Sequence, residues 1–109
     1  MASFSYDETR RGDVAELTLA GELDMPATFR VEPVLDRLLA SGEISELVLD
    51  LAGVEFIDSS GLGLLLTTFA RSREAEVAMT IIPGRPETQR VFRVAGVEGL
   101  LPFRKPVSE

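Results

Sequence analysis

The spacing of apolar positions along the chain changes from two to three-and-four and back, and each change marks an element. Phe4 and Tyr6 alternate with serines, and after Arg11-Gly12-Asp13 the residues Ala15, Leu17 and Leu19 alternate with Glu16 and Thr18. A period of two belongs to a half-exposed strand, so the opening reads as a hairpin turning at residues 11–13, its second strand ended by Gly21. Ala27, Val31, Val34, Leu35, Leu38 and Leu39 then recur at helical spacing, with Asp24 as the expected N-cap and Gly42 as the stop. Pro33 falls inside this stretch, where it removes the bond to the Phe29 carbonyl and crowds that turn, so the pattern predicts a kink or a late helix start.

Leu47-Val48-Leu49-Asp50-Leu51 is a nearly continuous apolar run, as in a central strand covered on both faces. Val54, Phe56 and Ile57 lead through a short loop to Asp58-Ser59-Ser60-Gly61, after which Leu62, Leu65, Leu66 and Phe69 form one helical stripe closing on Arg71 and Arg73. Val77 to Ile82 reads as another buried strand. Pro86 opens a short helix anchored by Val91, Phe92 and Ala95 and ended by Gly96, and a last strand is expected through Leu100 and Leu101 toward Phe103. Alternation of this kind predicts an α/β fold: a mixed, mostly parallel sheet of four to five strands with helices packed on it.

Composition narrows the function more than the fold. The 109 residues suit one domain spanning 1–109, with 45% apolar and 27% charged residues. The chain has no cysteine and no signal-peptide pattern, and its longest run of glycine and leucine, Gly61 to Leu66, is too short to cross a bilayer; a cytoplasmic protein without a membrane partner is expected. A formal net charge of -7 argues against nucleic acid, whose affinity comes from lysine and arginine on phosphates. The same acidity serves solubility or steers a basic partner. With no histidine, neither a Ser-His-Asp triad nor a Cys/His zinc site can be built from this chain, so no catalytic residue, metal or cofactor is expected. Pro83-Gly84-Arg85-Pro86 lacks the spacing of a phosphate-binding loop.

The informative chemistry lies where the central strand meets the helix after it. The first N–H groups of a helix have no intrahelical partner and its dipole favours negative charge. A phosphate on Ser59 would sit there with about 0.3 to 2 kcal/mol of stabilisation, against repulsion from Asp58 and Asp24. It would carry about -1.5 to -2 charges, tolerable on a free surface and costly in a packed interface. The pattern alone favours a pair of serines that merely cap a helix, and Asp24 as a cap and no more.

Gly21-Glu22-Leu23-Asp24 and Asp58-Ser59-Ser60-Gly61-Leu62-Gly63, in that order around one helix, resemble the STAS domain family, most of all its bacterial anti-sigma factor antagonists. The similarity runs from about Ala15 to Phe103 and includes Val48-Leu49-Asp50-Leu51 and Val91-Phe92-x-Val94-x-Gly96. It implies that Ser59 is phosphorylated by an anti-sigma factor that is also a serine kinase, and that the unphosphorylated form binds this partner and frees its sigma factor. A serine phosphatase would reverse the modification. Asp24 and Asp58 would flank the phosphorylation site, with Ser60, Gly61 and Leu62 at the partner surface of a monomeric, non-catalytic protein. The resemblance leaves open a STAS domain that docks in a stress-signalling scaffold or a transporter complex. A serine-nucleophile enzyme is the remote alternative. Two departures stand out: Pro33 in the first helix, and the chain's end at Pro106-Val107-Ser108-Glu109, where members usually continue into a final helix, here naturally absent or removed.

Overall fold

A ten-residue strand, Val14–Leu23 (β2), organises the computed structural model, which describes residues 3–104. Its odd positions Ala15, Leu17, Leu19 and Leu23 are fully buried while the even ones stay half-buried, so the period of two seen in the sequence is the two faces of the strand. The first strand, Ser5–Arg11 (β1), pairs with it antiparallel from Ser5↔Ala20 to Arg11↔Val14, turning at Gly12 and Asp13. The strands Glu46–Ile57 (β3) and Ala78–Ile82 (β4) follow in parallel, giving one four-stranded mixed sheet in the order β1-β2-β3-β4. The expected fold class is the observed one.

The crossover helices Met25–Ala40 (α1) and Ser59–Glu74 (α2) lie side by side on one face of this sheet. Ala27, Val31, Leu35 and Leu38 of α1 join Leu64 and Leu65 of α2 and the inward residues of β2, β3 and β4 in one core. Arg71 of α2 pairs with Asp36 of α1 outside it. Because both helices take the same face, β3 is not covered on both faces as its apolar run suggested. Leu47, Leu49 and Leu51 are wholly buried, but on the other face Asp50 is half-buried and Ala52 exposed, with only Val48 shielded among its neighbours.

Four local expectations change for physical reasons. β2 does not end at Gly21: that residue has φ +92°, and the irregular pairing with β3 absorbs it, so the strand continues to Leu23. A Cβ at this position would stand 1.7 Å from the Ser3 carbonyl oxygen, so glycine is required twice over. The helix over Pro33 starts at Met25 and not late, since Asp24 caps it and Pro33 faces solvent, where water can take up the released carbonyl. β3 continues past Leu51 to Ile57, because two irregularities in its pairing with β2 shift the inward positions to Leu51, Val54 and Ile57. The last strand is absent as such: Glu98–Leu100 form a 3₁₀ turn (α4), and Phe103 makes a single parallel bridge to Ile81. Pro86–Val94 (α3) holds that return in place, with Phe92 fully buried and edge-on to Phe103 at 4.9 Å between ring centres.

The stripe on α2 is also rotated from the one expected. Gly61, Leu64, Leu65, Thr68 and Ser72 face inward, while Leu62, Leu66 and Phe69 are half-buried at its border. The two inward hydroxyls are satisfied within the helix, Thr68 donating to the Leu64 carbonyl and Ser72 to that of Phe69, both at 2.7 Å. Residues 106–109, where the chain departs from the family's pattern, lie outside the described residues.

Candidate functional site at the ends of the central strands

β2 and β3 deliver two carboxylates to one place by the same local geometry. Leu23 and Ile57 are register partners, and the next residue on each strand, Asp24 and Asp58, caps the helix that follows. Their backbones nearly coincide in conformation, with φ -111° and ψ -169° at Asp24 and φ -112° and ψ -171° at Asp58. Asp24 Oδ1 accepts from the Ala27 N–H at 3.1 Å. Asp58 Oδ1 accepts from Ser60 N–H at 2.9 Å and Gly61 N–H at 3.2 Å. A further bond from Asp58 N–H to the Leu23 carbonyl ties the two corners together.

The cap of α2 is therefore Asp58, and neither serine serves in that role. Ser59 is the first residue of the helix and is exposed; Ser60 is half-buried and its N–H is committed to Asp58. The positive end of α2 already faces a carboxylate, so a phosphate on Ser59 finds the Ser60 and Gly61 donors taken. Gly61 is buried for a packing reason: a Cβ there would come within 2.6 Å of the Leu23 carbonyl oxygen and 2.7 Å of Ile57 Cγ1. Its lack of a side chain seats the start of α2 directly on the two strand ends. Leu62 is half-buried at the helix border. The site thus brings Asp24, Asp58, Ser59, Ser60, Gly61 and Leu62 together, with Ser59 the member turned most fully to solvent.

Apolar residues that sequence reasoning passed over surround it. Met25 is 54% and Phe29 69% exposed, one turn apart on α1. The Asp36–Arg71 pair fixes where they lie. Asp36 and Arg71 each stand eleven residues, or about three turns, after Met25 and Ser60. Since α1 and α2 descend in the same direction from parallel strands, Met25 is level with Ser60 and Phe29 with Leu64, next to the exposed Gly63. The available signal was the position of Met25 and Phe29 off the apolar stripe of their own helix. Phe56, 51% exposed at the end of β3, is a third such residue. Among the described residues no group of three metal-ligating side chains occurs, and no helix is long and apolar enough to cross a membrane.

Comparison with known proteins gives a consistent relationship. The STAS domain family model matches residues 6–109. The anti-sigma F factor antagonist of Lysinibacillus sphaericus is 32% identical over 82 residues, covering 74% of this chain and 69% of that protein. The crystal structure of an anti-sigma factor antagonist from Mycobacterium paratuberculosis superposes with a TM-score of 0.82 at 25% identity, over 96% of this chain and 88% of that one. The Bacillus cell fate determinant SpoIIAA in its phosphorylated form shares the fold, with a TM-score of 0.73 at 20% identity over 97% of this chain and 93% of that one.

Proposed function

The chain belongs to the STAS domain family, and on that premise we propose that it is an anti-sigma factor antagonist switched by phosphorylation of Ser59. The observation that carries this reading is Ser59 itself: an exposed hydroxyl on the first residue of α2, between two capping carboxylates and beside exposed Met25 and Phe29. The names of its relatives support the antagonist role.

In the unphosphorylated state the anti-sigma factor docks on the tops of α1 and α2. Met25 and Phe29 supply apolar anchors, Leu62 borders the patch, and Asp24, Asp58 and Ser60 form its polar part. Gly61 acts from below by letting α2 sit low enough for Ser59 to stand out. Binding withdraws the anti-sigma factor from its sigma factor, and transcription follows.

Phosphorylation reverses the balance through charge. About two negative charges arrive at a helix start whose donors are already held by Asp58. In the free protein water solvates them. In a packed interface the phosphate would be desolvated beside like charges, at several kcal/mol; a loss of about 4 kcal/mol is roughly a thousandfold in affinity. The kinase selects Ser59 over Ser60 because Ser60 is turned toward α1 and half-buried. A serine phosphatase restores the binding form. The chain is the substrate of this cycle, working as a monomer in the cytoplasm.

The test is incubation with ATP and the candidate anti-sigma kinase, followed by mass spectrometry and binding measurements beside Ser59→Ala. One phosphate at Ser59, absent from the variant and abolishing binding, is the expected result. A phosphate elsewhere, or none with any candidate kinase, overturns the switch and favours a STAS domain that works by docking alone.

A further inference from the structure

On the other side of Ser59 from Met25 and Phe29, the end of β3 and the outer side of α3 enclose a groove of about 190 Å³, lined by Glu55, Phe56, Ile57, Glu87, Thr88 and Val91. A second hollow of about 320 Å³ adjoins it along α3, sharing Glu87 and Val91 and reaching Val94. Thr88 fixes the wall of the first by donating to the Val54 carbonyl at 3.2 Å. Together they present a continuous apolar line, Phe56–Val91–Val94, with Phe56 51% and Val94 78% exposed.

Large apolar side chains left in a row at the surface of a soluble domain mark a surface that something covers. The rim suggests what covers it. Glu55 and Glu87 stand on the groove with Arg90 as the cation lining it, and among the described residues none of the three takes part in an ion pair. Phe56 precedes Ser59 by three residues, so the groove begins at the phosphorylation site. A specific interface engages about 20–30 residues a side, far more than the patch around Ser59 provides.

We propose that this groove is the second half of the anti-sigma factor's docking surface, receiving an apolar side chain of that protein flanked by basic residues. The inference rests on the function proposed above and adds a direction to it: the partner lies across the top of the molecule from α1 over Ser59 to α3. A phosphate on Ser59 then falls inside the footprint, where no rearrangement of the partner's edge can avoid it.

The experiment measures the affinity of the intact unphosphorylated chain for the anti-sigma factor that phosphorylates Ser59, beside Phe56→Ala, Val94→Lys and Glu87→Lys. Both apolar positions are exposed, and urea unfolding of each variant checks that the fold is kept. Phe56→Ala is expected to weaken binding by about tenfold or more, as loss of an aromatic anchor does. Val94→Lys and Glu87→Lys should weaken it by repelling a basic flank. Unchanged affinity in all three, with the wild type still binding and still blocked by Ser59 phosphorylation, overturns the groove and leaves the switch standing. Tighter binding by Glu87→Lys overturns the basic partner chemistry. Loss of self-association in sedimentation, with anti-sigma binding intact, assigns the groove to a second copy and overturns the proposal. A wild-type chain that binds no anti-sigma factor removes the function and the groove's role together.

Discussion

Asp58 serves two ends whose demands conflict, and substitution can separate them. As the cap of α2 it holds two backbone donors. Asp58→Ala should cost about 1 kcal/mol of unfolding free energy, whereas Asp58→Asn, which caps comparably, should cost only a few tenths. As a charge beside Ser59 it opposes the phosphate. The gap in urea unfolding between phosphorylated and unphosphorylated protein should therefore be less favourable to the phosphorylated form with Asp58 in place than in Asp58→Asn, by about 1 kcal/mol. Equal gaps in both backgrounds would show that the carboxylate's charge is not felt at Ser59. Asp24 was legible as a cap because it stands alone before its helical stripe. Asp58 was not, since aspartate and serine are comparable caps and three of them stand in a row. The pairing of Ile57 with Leu23 decides which one caps, and a single sequence carries no pairing. The role proposed for Ser59 came from family resemblance, because a serine before a helix is commonplace.

At the scale of elements, α2 approaches the ends of β2 and β3 closely at its first turn, and its two glycines report on that packing separately. Gly61→Ala would drive a methyl group into the Leu23 carbonyl and Ile57, lifting the helix start; a loss of about 1–3 kcal/mol is expected. Gly63 has nothing within 4 Å of an added Cβ, so Gly63→Ala should stabilise the helix by about 0.5–1 kcal/mol. Thermal unfolding of the two variants, moving in opposite directions, would check the packing. Gly63→Ala also places a methyl group at the proposed docking face and should weaken partner binding while raising stability, whereas Gly61→Ala lowers both through folding. The strand cores were readable here because Leu17–Leu19 and Leu47–Leu51 keep a clean pattern. The far half of β3 was not: its pairing irregularities put the inward residues at 51, 54 and 57, a spacing of three that reads as no strand. Thr68 and Ser72 disguised the inward face of α2 in the same way, polar by composition yet satisfied by their own helix.

The whole molecule is acidic, and three of its exposed large apolar residues, Met25, Phe29 and Phe56, stand on the elements that lead to Ser59 or pack beside it. Alternating strands and helices made the parallel order of the sheet legible, but not that α1 and α2 share a face, which depends on the direction in which successive crossovers turn. The net charge of -7 is too diffuse to say where a partner binds. It does say how one arrives. Asp24 and Asp58 at the proposed switch, with Glu55 and Glu87 at the groove, concentrate negative charge where docking is proposed. A basic partner would then be steered toward that end before any apolar contact forms. Screening shortens the reach of such a field from about 10 Å at 0.1 M salt to about 3 Å at 1 M. The association rate of the unphosphorylated chain with its anti-sigma factor should therefore fall by about tenfold or more between low salt and 1 M. The dissociation rate, set by Phe29, Phe56 and their apolar contacts, should change little. Stopped-flow mixing across that range separates the two. An association rate indifferent to salt would mean that the acidity serves solubility, and that the apolar residues alone direct the encounter.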